Sequence, residues 1–445
     1  MRLPVHGRRA RPAYTTRFAW GPLEPRLDAG MYRYPMRPAI RSSHMRLLII
    51  TYGTEGDTRP LAALGHALMQ RGHDVHLLAD ASSLGIAESL GLPCSAMSGD
   101  IRATIAEGGM QDINRNVARL ATEHTGAWLD QAIGAGRDRD ALIVSGLAAF
   151  VGLSAAEALR IPVIGAMLIP ISGTSAFPSP FVPLALPRAL NYASHWIFAR
   201  LTWQLFRKAT NKARAKAGLP PRRRIWDDHP MLYGVSPALV PRPDDWHANA
   251  HVCGQWVPPS EAWAPPPELR DFLAEGEPPV YVGFGSMAGF DNARLVEAVV
   301  GAVGTRRALF NAGWSGIDTA SLPPNFHAVG HVPHDWLLPR CAMAIHHGGS
   351  GTTHSACRAG VPSIIVPFAG DQFFWNARLR DAGVMRHALK GKSISAETLG
   401  EAIAFAESSS ARQAAARLGA KMQHEDGRAV AVELVERYAA GGGAA

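Results

Sequence analysis

RLLIITYGTEGDTRPLAALGHALMQRGHDVHLL, residues 46–78, decides the architecture of this 445-residue chain. Arg46–Thr51 is an apolar, β-branched run of strand length. Tyr52–Pro60 reads as a Gly-rich loop. Leu61–Gln70 repeats its apolar residues with helical period and stops at Gly72, and Asp74–Leu78 is strand again. A strand, a helix and a strand in succession make a parallel βαβ unit. Further along, Ser82–Leu90 reads as a helix ending at Gly91, and strands Ala141–Ser145 and Ile161–Met167 bracket another helix.

The alternation breaks and then resumes. Residues 173–230 open on an irregular loop holding Pro178, Pro180, Pro183 and Pro187, followed by a long helix, Leu190–Lys216, which Pro220 and Pro221 end. After the Pro-rich stretch 256–279 a second series runs: strand Val280–Phe284, helix Asn292–Val303, strands Arg307–Asn311, Phe326–Val332 and Ala342–His346, helix Ser350–Ala359, strand Ser363–Val366 and helix Asp371–Ala382. Two more helices run through 395–420 and 427–440. The expected fold is α/β, two doubly wound Rossmann-like domains facing across a cleft. Its parts are an N-terminal domain 45–250, a linker 251–278, a C-terminal domain 279–425, and a closing helix with a Gly/Ala tail, 426–445. In such sheets ligands sit outside the carboxyl ends of the strands.

Composition narrows the function. The chain is 47% hydrophobic and 18% charged, which excludes disordered and fibrous classes. Seven of its eight net positive charges lie in residues 1–44, where nine Arg face only Glu24 and Asp28. The body is nearly neutral, so no nucleic-acid partner is expected. Residues 1–44 lack the apolar stretch of a secretory signal and are read as a disordered or artefactual leader, with Met45 opening the first strand. Cys94, Cys253, Cys341 and Cys357 are far apart, which fits a reducing, cytoplasmic compartment and no zinc site. The uncharged run Ala141–Ala156 falls short of a membrane span.

Three strand-to-helix turns carry the chemistry. In Gly53-Thr54-Glu55-Gly56-Asp57-Thr58-Arg59-Pro60 the glycines allow close backbone approach and the helix N-terminus beyond favours negative charge. It is neither a Walker loop nor GxGxxG. Asp57 is there a candidate acid/base, or merely the N-cap of a helix with Pro60 in its first turn. His346-His347-Gly348-Gly349-Ser350-Gly351-Thr352-Thr353 joins small residues, hydroxyls and a helix N-terminus, a cradle suited to a diphosphate. The bland reading is a Gly-rich turn with a structural His. Adjacent histidines on a strand point to opposite faces, so they are not a metal pair. Asp371-Gln372, after Pro367-Phe368-Ala369-Gly370, offers acceptors and donors suited to sugar hydroxyls, and Gly283-Phe284-Gly285-Ser286 is a fourth candidate loop. Asp138-Arg139-Asp140 has the letters of a metal-binding DxD, but it precedes a strand instead of ending one.

Together these motifs resemble the nucleotide-sugar glycosyltransferases of the GT-B fold, family 1. The likeness spans residues 45–435, and within the family it is greatest to the bacterial and fungal sterol glucosyltransferases and the vancomycin-type antibiotic transferases. It is strongest at PPVYVGFGSM, 278–287, and across 331–372, where His347 precedes Gly360-Val361-Pro362 by thirteen residues and Asp371-Gln372 follows in register. The resemblance implies that His347, Gly349, Ser350, Gly351 and Thr352 hold the diphosphate, that Asp371 and Gln372 hold sugar hydroxyls, and that His331, Val332 and His334 edge the nucleobase. Ser286 would lie near the phosphates, with Gly53, Thr54 and Gly56 completing the donor site. Asp57 stands where relatives with G-H-x-x-P carry a catalytic His. Two positions depart from the plant-type pattern: His331-Val332-Pro333-His334 replaces W-x-P-Q, and Ser355 stands where a ribose-binding Glu is found.

The implied reaction is an inverting, metal-independent hexosyl transfer, with a UDP-sugar favoured, to a hydroxyl of a lipophilic acceptor, and Asp57 as general base. No cofactor is expected. Phe177, Phe181 and Trp196, with Trp203, point to a sterol, polyketide or lipid acceptor, and the basic face of the long helix suits an anionic membrane surface. Equally, those aromatics are domain core and the charges a solvated face. A sugar-nucleotide epimerase or hydrolase and a catalytically silent ligand-binding homologue are the alternatives.

Overall fold

The computed structural model describes residues 44–106, 113–259, 263–285, 291–313 and 317–441. Ser286 and all but the last residue of the leader 1–44 lie outside the described residues. Seven parallel strands form the first sheet: β1 (Arg46–Ile50), β2 (Asp74–Asp80), β3 (Cys94–Met97), β4 (Ala141–Val144), β5 (Val163–Met167), β6 (Met231–Tyr233) and β7 (Ala250–Val252). Their order is β3-β2-β1-β4-β5-β6-β7, with Leu47 opposite both Val75 and Ala141. The second sheet holds β8 (Val280–Gly283), β9 (Ala308–Asn311), β10 (Phe326–Ala328), β11 (Met343–His346) and β12 (Ser363–Ile365), in the order β10-β9-β8-β11-β12, again all parallel.

Each sheet is apolar on both faces because helices cover both. Successive residues of β1 point to opposite sides. Leu47 and Ile49 pack with Leu61, Leu64 and Leu68 of the helix Glu55–Gln70. Leu48 and Ile50 pack with Trp128 and Leu129 of the helix Ile113–Gly136. The closing helix, Gly427–Ala439, returns to the first domain and lays Ala431, Val435 and Tyr438 on the Leu47–Ile49 side. Trp256 anchors that crossing, its indole Nε1 donating to the Gly427 carbonyl at 3.1 Å. Residues 251–278, expected as linker, include the end of β7 and a helix, Pro267–Ala274. A shared core then joins the two domains, with Tyr233, Val235 and Val240 packing among Trp375, Leu379 and Met422.

The first helix begins earlier than its apolar period indicates, at Glu55 instead of Leu61. Thr54 is its N-cap and Asp57 reaches back to it as a capping box, which draws Gly56-Asp57-Thr58-Arg59 into the helix. Asp57 is therefore not the N-cap, and Pro60 stands inside the helix. Pro60 has no N–H to return to the carbonyl of Gly56, four residues before it.

Both sheets reverse strand order at one point, between β1 and β4 in the first and between β8 and β11 in the second. These are the crevices where doubly wound sheets take ligands. The β1 loop carries Gly53, Thr54 and Asp57; the β11 loop carries His347 and Gly349. Both key motifs thus issue from switch points.

Candidate functional site

Asp57 is fixed by its own loop. Its Oδ2 accepts the Thr54 backbone N–H at 2.8 Å and the Thr54 hydroxyl at 3.2 Å. A Cβ on Gly53 would fall inside the van der Waals envelope of that same oxygen, so only glycine leaves the carboxylate its place. Burial pushes the Asp57 carboxyl above its ordinary range, and the bonds from Thr54 only partly oppose it. Behind it the neighbouring switch-point loop is pinned. Leu147 N–H donates to the Tyr52 carbonyl at 3.2 Å, and Gly146 adopts a φ of +59° with that carbonyl 2.8 Å from where its Cβ would be.

The β11 loop forms the opposite wall. The helix Ser350–Arg358 starts with Gly349 as its N-cap, so the first-turn amides of Ser350, Gly351 and Thr352 have no partner in their own helix. His347 stands beside them. The loop after β8 passes over it at Gly285, whose φ of +61° puts a would-be Cβ 2.9 Å from His347 Cε1, and a Cβ on Gly349 would lie 2.6 Å from Nε2. Burial draws the His347 imidazole down to about 4, so it is neutral near pH 7. The Gly283 backbone, by hydrogen bonding to the ring, opposes that shift in part. A neutral imidazole beside the free amides of a helix N-terminus fits an anion that arrives as a ligand. His346 points into the sheet interior, fully buried, accepting the Gly348 N–H at 3.2 Å.

Not every expected contact keeps its place. The Ser350 hydroxyl donates to the Leu168 carbonyl at 2.9 Å, at the carboxyl end of β5, and so ties the two domains instead of facing a ligand as a donor. Its amide remains part of the cradle. Gln372 Oε1 accepts the Phe368 and Ala369 amides at 2.7 and 3.1 Å, which fixes the turn ahead of its helix. Asp371 accepts the Trp375 indole N–H at 2.7 Å. That partner, four residues on and on the same helix side, is missed by motif reading, although its i,i+4 spacing is the signal that finds it. Burial, and after the opposing hydrogen bonds the charge of Asp57, push the Asp371 carboxyl up to about 6. The two carboxyl groups, one from each domain, therefore lie within electrostatic reach of each other.

The loop expected to edge the nucleobase is divided. His331 is exposed, and its Nε2 lies 2.7 Å from Arg59 Nη2 of the first domain, with Glu55 paired to the same guanidinium. Val332 is packed with Tyr281, Leu337 and Leu338, so its side chain cannot reach a base. His334 Nε2 meets the Tyr281 hydroxyl at 3.2 Å, and burial draws the ring down to about 4. Ser355, where the plant-type pattern has a Glu, is met by Gln255 Nε2 at 3.3 Å.

The acceptor candidates have three different surroundings. Phe177 is 3% exposed and packs against Phe374 with ring centroids 5.3 Å apart, so it is interdomain core instead of cleft wall. Trp203 is core as well. Phe181 stacks on Phe198 at 4.4 Å. Trp196 is 58% exposed, beneath the Arg200 guanidinium at 5.3 Å, and faces outward. Asp140 pairs with Arg46 at 3.0 Å, and Arg139 with Asp74 at 3.0 Å, at the amino edge of the sheet away from the cleft. Among the described residues no group of three or more His, Cys, Asp or Glu is arranged to hold a metal.

Comparison with known proteins agrees with this geometry. The family model for the erythromycin biosynthesis protein CIII-like C-terminal domain matches residues 309–437. The O-mycaminosyltylonolide 6-deoxyallosyltransferase of Streptomyces fradiae is 33% identical over 89% of this chain and 98% of its own. The sterol 3-beta-glucosyltransferase of Saccharomyces cerevisiae is 32% identical over 87% of this chain, which spans only 34% of that relative's length. The glycosyltransferase SnogD from Streptomyces nogalater superposes with a TM-score of 0.61 at 21% identity, covering 88% of this chain and 99% of its own. With two doubly wound parallel sheets, a carboxylate at one switch point and a small-residue helix N-terminus at the other, the chain belongs to the GT-B-fold glycosyltransferases.

Proposed function

We propose that the protein transfers a hexose from a nucleotide diphosphate sugar, a UDP-sugar by preference, to a hydroxyl of a lipophilic acceptor, with inversion at the anomeric carbon. Asp57 Oδ1, the oxygen not engaged by Thr54, takes the acceptor proton as the acceptor oxygen bonds to C1. The bond from C1 to the diphosphate oxygen breaks, and its electron pair leaves with the diphosphate. The amides of Ser350, Gly351 and Thr352 and the His347 imidazole receive that developing charge, a form of stabilisation that acts most strongly in a water-excluded site. No divalent metal is required in this reading. Asp371 and Gln372 orient the sugar.

The observation that supports the proposal is that the carboxyl groups of Asp57 and Asp371, from separate domains, lie within electrostatic reach of each other. Relatives named for sterol and tylonolide transfer support a polycyclic or macrocyclic alcohol as acceptor. The test is mass spectrometry of products from UDP- and TDP-sugars set against sterol, polyphenol and lipid acceptors, with and without a chelator, and NMR of the product's anomeric proton. Acceptor-dependent glycoside with inverted configuration, indifferent to chelation, is expected. Free sugar or an epimerised nucleotide in every reaction overturns the reading.

A further inference from the structure

The helix Arg188–Lys216 leaves one face uncovered. Leu190, Ile197, Leu201 and Leu205 are 51%, 49%, 64% and 57% exposed. Their spacing of seven, four and four residues puts them in a single row along the helix. The same row continues through exposed Lys208 and Lys212, so an apolar half is followed by a cationic half. Leu184, in the loop that leads into the helix, is 65% exposed. Scattered exposed leucines need no explanation, but a continuous row of them does.

Charge selects the occupant. No Asp or Glu occurs between Glu157 and Asp227, while ten Arg and Lys lie within 188–224. Glu157 is taken by Arg214 and Arg222, at 2.7 Å each. Arg207, Lys208, Lys212 and Lys216 have no carboxylate partner among the described residues. An apolar row continued by cations that have no ion-pair partner among the described residues matches the boundary between acyl chains and anionic headgroups. A second copy of this chain fits worse, since it would bring the same cations together.

We propose that this face docks the protein on an anionic lipid bilayer: Ile197, Leu201 and Leu205 enter the acyl boundary while Lys208 and Lys212 lie among the headgroups. The face adjoins the loop that follows β5. His195, next to Trp196, holds that loop by its Nε2 on the Phe177 carbonyl at 3.1 Å, and Leu168 at the loop's start bonds Ser350. A bilayer there would deliver membrane-dissolved alcohols toward the cleft. That last step rests on the proposed transferase reading; the docking does not.

The experiment is flotation of the full chain with vesicles of phosphatidylcholine, with and without about 30 mol% phosphatidylglycerol. Binding at least ~10-fold greater to the anionic vesicles, falling with added salt, is expected. Lys208→Gln with Lys212→Gln lowers it about 5-fold or more, and Leu201→Glu with Leu205→Glu lowers it at least ~10-fold, with the melting curve of each variant kept. Should the glutamate pair misfold, the lysine pair decides alone. Wild-type protein that stays in the aqueous layer, or lysine variants that float like wild type, overturn the proposal. So does a wild-type dimer by light scattering that the glutamate pair converts to monomer, which would make this a self-interface. Vesicle binding is read without turnover, so its failure is distinct from failure of the transferase reading.

Discussion

Asp57 and Asp371 come from opposite domains, and the charge of the first helps to hold the proton on the second, which titrates at about 6. Each is built in from its own side. Thr54 bonds Asp57 at 2.8 Å and the Trp375 indole bonds Asp371 at 2.7 Å. Both carboxyl groups are raised chiefly by burial, so both prefer the protonated form more than a surface aspartate does.

The base is tested by removing its charge alone. Asp57→Asn keeps size and one hydrogen-bonding oxygen, so donor affinity by calorimetry stays within about 2-fold while kcat falls at least ~100-fold, the lower end of general-base catalysis. Unchanged kcat in that variant would remove Asp57 from the mechanism and leave a silent binding protein as the better description.

The pH profile follows from the same two groups. Asp57 must be ionised to accept a proton, and its range is raised, so kcat/KM falls on the acid side at a pH above that of an ordinary aspartate. Asp371 adds a loss of sugar binding as pH falls through about 6. His347, at about 4, is neutral around that transition and adds no limb to it. Because the folded pKa of Asp371 is raised, its favourable contribution is complete below the unfolded value of about 4 and is lost as pH rises through about 6. Asp371→Asn should therefore melt higher than wild type at pH 8, by a few degrees if the gain is of order 1 kcal/mol, and match it at pH 4. Calorimetry at both pH values checks this.

Two glycines separate the two halves of the site. Gly53→Ala drives a methyl against Asp57 Oδ2 and should reduce kcat at least ~10-fold with little change in donor affinity. Gly349→Ala puts a methyl 2.6 Å from His347 Nε2, beside the cradle, and should raise donor KM instead. Steady-state kinetics of both variants gives the split, and an identical loss in each would argue against separate walls.

Legibility in the chain depends on local pattern. The βαβ order is readable because β1, β4 and β5 are mainly apolar runs and β2 holds Val75, Leu77, Leu78 and Ala79, and His347, Asp57 and Asp371 are readable because small-residue turns follow strands there. The helix Ile113–Gly136 escapes that reading, and the strands Met231–Tyr233 and Ala250–Val252 are too short to show a period. The start of the first helix is hidden by Gly56 and Pro60, both helix breakers by propensity, which the Thr54–Asp57 box overrides. Other features are tertiary and leave no local trace. Ser350 reads as a ligand hydroxyl until Leu168 is seen to accept from it, and Phe177 reads as an acceptor wall until Phe374 covers it.

Arg59 and His331 meet at the mouth of the site, 2.7 Å apart across the domains, with Glu55 on the same guanidinium. A guanidinium only donates, so His331 Nε2 meets it as the acceptor. The pair is exposed, and its energy is modest. Its use is positional, since it holds the first helix to the loop expected at the nucleobase. Arg59→Ala should raise donor KM about 3- to 10-fold with kcat nearly unchanged, which steady-state kinetics checks.

A stronger tie lies deeper, at His354. Its Nε2 accepts the Ser236 backbone N–H at 3.1 Å, which leaves Nδ1–H to donate to the Ser350 carbonyl at 2.7 Å. Burial draws this ring down to about 4, so it serves both bonds as a neutral group. Ser236 belongs to the first domain and Ser350 opens the helix Ser350–Arg358, so one imidazole couples the domain joint to that helix start. His354→Ala strands a buried amide and should cost about 1–3 kcal/mol of stability. His354→Gln keeps polarity at that depth and should recover part of it. Denaturant melts of the two variants, read with donor KM, distinguish a joint that positions the cradle from simple packing: the first requires that KM rise in His354→Ala under conditions where the variant is fully folded.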